Sequence, residues 1–210
     1  MEILYFHSLH STQLYLIENI KSGNLKTPIA IFTDNQTNGI GSRDNSWTGE
    51  SGNFFASFAI NIDNLPKDLP LSSASIYFAY IMKQVLSEID KSVYLKWPND
   101  LYIGSNKIGG VITKKIDKTL ICGIGINLKK TKEFDGLSHY IKPKTLLDRY
   151  ITLLEKFPKW KHIFREFEIE FDSNRKFYTH IENEKKSLKY AILSSDGSLT
   201  IEGKKVFSLR

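Results

Sequence analysis

Apolar residues fall along this chain in two rhythms, and the rhythms divide it into elements. Runs that alternate, or are apolar throughout, predict strands at 2–6, 28–33, 52–62, 95–103 with a break at Pro98, 107–113 and 119–128. Spacings of three and four predict helices. The first, 13–21, follows Ser11 and Thr12 as capping residues and ends at Gly23. A longer one starts at Ser72 and turns Ile76, Phe78, Ala79, Ile81, Met82, Val85, Leu86 and Ile89 to one side, so Met82 predicts packing and nothing more. Two more, 145–156 and 158–171, carry Leu146, Leu147, Tyr150, Ile151 and Leu154, then Trp160, Ile163, Phe164, Phe167 and Phe171. From Lys176 the pattern shortens to alternating runs separated by Asp196-Gly197 and Gly203-Lys204, which signal hairpins. The expected fold class is α+β: a mixed central sheet flanked by helices over residues 1–176, then a small β domain over 177–210.

Three stretches interrupt these rhythms and hold the candidate chemistry. In Lys96-Trp97-Pro98-Asn99-Asp100 the proline fixes its own φ and donates no hydrogen bond, while Asn99 and Asp100 favour a tight turn. After the Gly104-Ser105-Asn106 turn, Lys107 precedes Gly109-Gly110, where backbone or ligand approaches closely. A lysine beside paired glycines, facing that corner, suggests an anion site; a surface hairpin with a snorkelling lysine gives the same pattern. Residues 34–47 are polar and longer than an ordinary connection, so they are either disordered or a ligand-gated lid. Gly123 and Gly125 sit within an apolar strand, which they weaken; a ligand lying against the backbone would explain them.

Composition narrows the class. The 210 residues are 41% hydrophobic and 25% charged, enough for one sizeable domain and a small appendage. Cys122 is the single cysteine, which excludes an internal disulfide and a four-cysteine zinc site and fits a reducing cytoplasm. No apolar stretch is long enough to span a bilayer and no signal-peptide pattern opens the chain, so a soluble, cytoplasmic protein is expected. No histidine pair has metal-ligand spacing, and no Gly-x-Ser-x-Gly is present. The net charge of +6 is local: residues 105–132 hold seven lysines against Asp117 alone. Such a face steers phosphates, nucleic acid or an acidic protein, or else protects an edge strand from aggregation.

Together these motifs resemble biotin protein ligases, which join biotin to AMP and then to a lysine of a carboxylase subunit. The resemblance rests on Lys-Trp-Pro-Asn-Asp at 96–100, Lys-Ile-Gly-Gly-Val-Ile at 107–112 and Gly-Ile-Gly-Ile-Asn-Leu at 123–128. Residues 36–47 are similar to the family's glycine-rich adenylate loop: Gln36, Gly39, Gly41 and Trp47 keep its spacing. Ile40 and Ser42 stand where the family has arginines, and Arg43 lies one residue late. The resemblance implies a class II synthetase-like catalytic domain with a shortened β-barrel-like appendage. It implies biotin contacts from Ser11, Thr12, Gln13 (asparagine in many members), Gln36, Gly39, Ile40, Gly41, Ser42, Lys107, Gly110, Gly123 and Gly125. It implies ATP contacts from Arg43, Trp47 over the adenine, Asn99, Lys107, Asn127 and the terminal Arg210. Lys107, Arg43 and Asp100 would be the catalytic groups, with Mg²⁺ carried by the nucleotide and no metal site of the protein's own.

The implied partner is the biotin carboxyl carrier protein of acetyl-CoA carboxylase, and a homodimer is compatible with the family. The resemblance begins close to Met1, so no helix-turn-helix and no nucleic-acid or membrane partner are expected. Three alternatives stay open: a lipoate or octanoate ligase or transferase of the same superfamily, a basic nucleic-acid-binding module, and a pseudoenzyme that binds without turnover. The second leaves the placed glycines unexplained and lacks aromatic residues interleaved with the lysines.

Overall fold

The computed structural model describes residues 1–42, 45–47, 49–131, 135–182 and 184–208. The first half of the chain forms β1 (Glu2–Phe6), α1 (Thr12–Lys21), β2 (Ile29–Thr33), β3 (Gly39–Ile40), β4 (Ser46–Trp47), β5 (Phe54–Asn61), α2 (Ala74–Ser87), β6 (Val93–Lys96) and β7 (Asp100–Ile103). Then come β8 (Asn106–Ile116), β9 (Thr119–Ile126), α3 (Pro143–Leu154) and α4 (Trp160–Glu170). The short strands β10 (Tyr178–Ile181), β11 (Glu184–Ser187), β12 (Ile192–Leu193), β13 (Leu199–Ile201) and β14 (Lys204–Val206) complete the order.

Among the described residues seven strands form one mixed sheet in the order β1-β2-β5-β9-β8-β7-β6, and only β1 and β2 run parallel. Side chains alternate between its two faces. Ala30, Phe32, Ala56 and Phe58 join the large core under α2, α3 and α4, whereas Ile29, Ile31, Ala59 and Ile121 meet Leu16 of α1 on the opposite face. On that α1 face, Ser57 pairs with Gly123 and Gly123 with Ile112, while Gly125 lies between Phe55 and Gly110. Small residues at neighbouring positions leave a depression in the sheet where a covering helix would otherwise rest on bulk.

Two expectations need correction. The second helix begins at Ala74, after a 3₁₀ turn over Leu71–Ser73, and Ser72 does not cap it. The Ser72 carbonyl instead accepts from Ser208 Oγ, and Ser73 Oγ donates to the Asp196 carbonyl at 2.5 Å. The lysine-rich segment is no sheet edge through its length: β8 and β9 lie inside the sheet. Only beyond Gly110 does β8 lose its β7 neighbour, and there the Asn99 side chain and carbonyl hold Val111 (2.7 and 2.9 Å).

The C-terminal strands form sheets of two and three strands and do not close into a barrel. Their Leu188, Ala191, Leu199 and Ile201 belong to the same apolar cluster as the main sheet. The Trp97–Pro98 peptide is cis and Trp97 is fully buried. Its backbone N–H donates to Asn174 Oδ1 at 2.6 Å and its indole Nε1–H to the Gly197 carbonyl at 2.9 Å, so the Trp-Pro corner ties the C-terminal strands to the sheet. No helix among the described residues is long and apolar enough to cross a membrane.

Candidate functional site

The depression is a cleft of about 430 Å³ whose floor is the glycine-rich centre of β5, β8 and β9 and whose end wall is the start of α1. Ser11 caps α1, accepting from the Leu14 N–H at 3.3 Å, and so fixes where the next two side chains point. The Thr12 N–H and hydroxyl both donate to Gln36 Oε1 (2.8 and 3.0 Å). That leaves Ser57 Oγ, 2.9 Å away, as donor to the Thr12 hydroxyl. Gln13 is almost wholly buried, and its Oε1 has no hydrogen-bond partner among the described residues. A Cβ at Gly123 would collide with that oxygen, so glycine is required there for the Gln13 side chain to lie against the strand. A buried acceptor without a donor costs about 1–3 kcal/mol, which a ligand N–H in the cleft would recover.

Above this floor β3 and β4 pair antiparallel as a small hairpin, Gly39 with Trp47 and Ile40 with Ser46. The hairpin is anchored at its base by a bridge between Leu9 and Gln36. The Trp47 indole lies on Gly125, where a Cβ would fall 2.5 Å from Nε1. Lys107 Nζ stands 5.6 Å from the centre of that ring, at cation–π range, and 2.6 Å from Asp100 Oδ1. Lys96 Nζ approaches the other oxygen of Asp100 at 3.8 Å. Gly110 lies beneath: a Cβ there would touch Asp100 Oδ1 at 3.4 Å and Lys107 Nζ at 3.6 Å. Burial, reinforced by the charge of Asp100, pushes the Tyr102 hydroxyl up to about 12. Two ammonium groups, the Asp100 carboxylate and an aromatic face thus converge above a floor of hydroxyls and amides.

The cleft gathers most of the residues singled out in the sequence: Ser11, Thr12, Gln13, Gln36, Ile40, Gly41, Ser42, Trp47, Asn99, Asp100, Lys107, Gly110, Gly123 and Gly125 all line it. Gly39 lies behind it, against the Trp47 carbonyl. Asn127 is not among the lining residues; it is buried and accepts from Asn53 Nδ2 at 3.2 Å, while Asn53 Oδ1 accepts from the Leu128 N–H at 2.9 Å. Arg43 and Arg210 fall outside the described residues. The sequence reading missed Ser57, Ile112 and Asn53. The signal for Ser57 was a lone hydroxyl in the apolar run 54–60; for Asn53, an amide at the threshold of a buried strand.

Among the described residues no cluster of three or more His, Cys, Asp or Glu side chains is placed to hold a metal ion. Asp100 is the one carboxylate among the described residues lining the cleft.

The profile of the biotin/lipoate A/B protein ligase family matches residues 5–130. The bifunctional ligase/repressor BirA of Escherichia coli is 31% identical over 128 residues, which is 57% of this chain and 38% of that protein. Biotin–protein ligase 2 of Arabidopsis thaliana is 28% identical over 177 residues, covering 78% of this chain and 52% of that protein. The matched stretch therefore spans about two fifths to one half of the length of these curated relatives. Among solved structures, the biotin acetyl coenzyme A carboxylase synthetase of Helicobacter pylori with bound biotinylated ATP superposes with a TM-score of 0.94 at 38% identity, over 98% of this chain and 99% of that one.

Proposed function

The chain belongs to the biotin/lipoate A/B protein ligase family, and from that premise we propose that it activates biotin with ATP as biotinyl-5′-AMP and transfers the biotinyl group to a lysine of a biotin carboxyl carrier protein. The observation that carries biotin over lipoate is the buried, unpartnered Gln13 Oε1 within the Ser11, Thr12, Gln36 and Ser57 hydrogen-bonding floor. Biotin's ureido ring brings two N–H donors and a carbonyl to such a floor; the dithiolane of lipoate brings neither. A site built for those bonds disfavours a ligand lacking them, by factors on the order of 10⁴ where several are lost.

Lys107 is the group assigned to the first step. Biotin's carboxylate oxygen attacks the α-phosphorus, a new P–O bond forms, the bond to the β-phosphate oxygen breaks and pyrophosphate leaves. Two anions are brought together, and a fixed ammonium lowers the barrier most where their charge accumulates. With three donors, Lys107 can keep Asp100 while reaching the carboxylate and the phosphate. Trp47 is assigned to the adenine, Asn99 and Asn127 to the nucleotide, and Arg43 and Arg210 to its phosphates and surroundings. Asp100 and Asn99 would stand next to a Mg²⁺ carried by the nucleotide, which would supply neutralisation of phosphate charge; an ion that keeps its waters and phosphates needs no protein cage. In the second step the acceptor amine attacks the acyl carbon, a C–N bond forms, the C–O bond to AMP breaks, and Asp100 is assigned the amine's proton.

The hairpin β3–β4 serves in this account as the cover that keeps water from the mixed anhydride. Residues 177–210 are read as a second, smaller domain, since their strands pair only with one another among the described residues. A cytoplasmic setting and pairing of two chains through an outer strand of the main sheet complete the proposal. The test is incorporation of biotin into a recombinant carboxyl carrier domain in the presence of ATP, read by avidin blot. Labelling that requires both ATP and the acceptor lysine supports the reading, and none at all would overturn it.

A further inference from the structure

Resting on the ligase reading, the geometry points to Lys96 as a positioning residue for the first step, acting on Lys107 through the carboxylate that the two lysines share. Cross-strand pairing sets Lys96 of β6 against Asp100 of β7, Asp100 against Gly110 of β8, and Gly110 against Gly125 of β9. Directly paired residues share one face of a sheet, so this row runs from the outermost strand to the glycine floor on the cleft side. Asp100, Gly110 and Gly125 line the cleft; Lys96 does not. Its ammonium stands behind Asp100, one residue back from where the reactants would lie.

The side chain of Lys96 is 16% exposed, against 39% for Lys107. Its Nζ lies 5.3 Å from the centre of the Tyr102 ring and 5.4 Å from that of Phe177. Those rings meet edge to face with centres 5.0 Å apart, so together they cage the ammonium. Holding a long charged side chain in such a cage costs rotamer freedom and hydration, which an ordinary surface ion pair does not require. What the cage fixes is charge. Asp100 meets Lys107 on Oδ1 at 2.6 Å and Lys96 on Oδ2 at 3.8 Å. By themselves Asp100 and Lys107 would form a neutral pair, with the ammonium spent on the carboxylate. With Lys96 on the far oxygen the three groups carry a net positive charge, and the hold of Asp100 on Lys107 is weaker. The carboxylate is also kept from turning away from Gly110. Lys107 is thereby aimed at the floor and able to exchange Asp100 for substrate oxygens as charge builds on them.

Single-turnover pyrophosphate release with ATP and biotin tests this. Lys96→Met is expected to slow the step by about tenfold, less than the loss of a direct donor. Biotin affinity by calorimetry should stay unchanged, because the floor around Gln13 is untouched. Lys96→Arg keeps the charge and stacks on aromatic rings, so it should restore most of the rate. In an Asp100→Asn background Lys96→Met should have no further effect, since the link between the two lysines is already cut. Lys96→Gln gives the same comparisons if urea denaturation shows the methionine variant unfolded. An unchanged rate, an arginine variant no faster than the methionine one, or an undiminished fall in the Asp100→Asn background would overturn the positioning role. No biotin-dependent pyrophosphate release from the unsubstituted chain would overturn the ligase reading itself.

Discussion

In the proposed first step Lys107 is the residue that matters most, because its ammonium would stand between two negatively charged reactants. Replacing it with alanine is expected to slow adenylate formation by about 10²–10³-fold, the usual effect of removing one transition-state donor. Single-turnover kinetics checks this, and an unchanged rate would remove Lys107 from the mechanism. Gln13→Leu keeps the volume of the side chain and deletes the orphaned acceptor. Biotin affinity measured by calorimetry should fall by about 1–3 kcal/mol, while lipoate affinity should not fall. Lys107, Gly123 and Gly125 were legible in the sequence because a glycine inside an apolar strand has a cost that asks for a cause. Ser57 and Asn53 were not. Ser57 reaches the cleft through its cross-strand pairing with Gly123, and Asn53 is bonded to Asn127; neither follows from a hydrophobic period.

At the scale of elements, the Trp-Pro corner is a structural tie as much as a wall of the site. Asn174 is fully buried, accepting from the Trp97 N–H and donating from Nδ2 to the Leu95 carbonyl at 3.0 Å. Asn174→Leu strands both groups and should cost about 2 kcal/mol or more in urea denaturation. A loss below a few tenths of a kcal/mol would show that the tie is not stabilising. The strands and helices of the core were readable from periodicity, with ends displaced by a few residues. Ser72 read as a cap because hydroxyls favour that position, but here Ser72 and Ser73 bond to the C-terminal strands instead. The β10–β11 hairpin escaped because Glu184, Lys185, Lys186 and Ser187 carry no apolar rhythm; Lys186 pairs with both Glu184 and Glu202 at 2.9 Å.

For the whole molecule, strand order is what the sequence withheld. The adjacent runs 107–113 and 119–128 announce a hairpin, yet nothing local places that hairpin in mid-sheet between β5 and β7. Stability should fall in acid through identifiable carboxylates. Bonds from Ser138 and Ser92 hold Asp90 down at about 2, and Asp196, though burial raises it, is brought to about 2 by Lys205 and Ser198. A carboxyl whose folded value lies below its ordinary 3.8 binds its proton more readily unfolded, so its stabilising contribution is present above about pH 4 and lost towards pH 2. Thermal midpoints recorded across that window should drop, and Asp196→Asn should flatten the drop. The overall claim is that this molecule makes an adenylate of biotin. Mass spectrometry of the products formed from ATP with biotin and lipoate at equal concentration tests it most directly. Biotinyl-5′-AMP in large excess is the expected result; lipoyl-AMP as the main product, or neither, would contradict it.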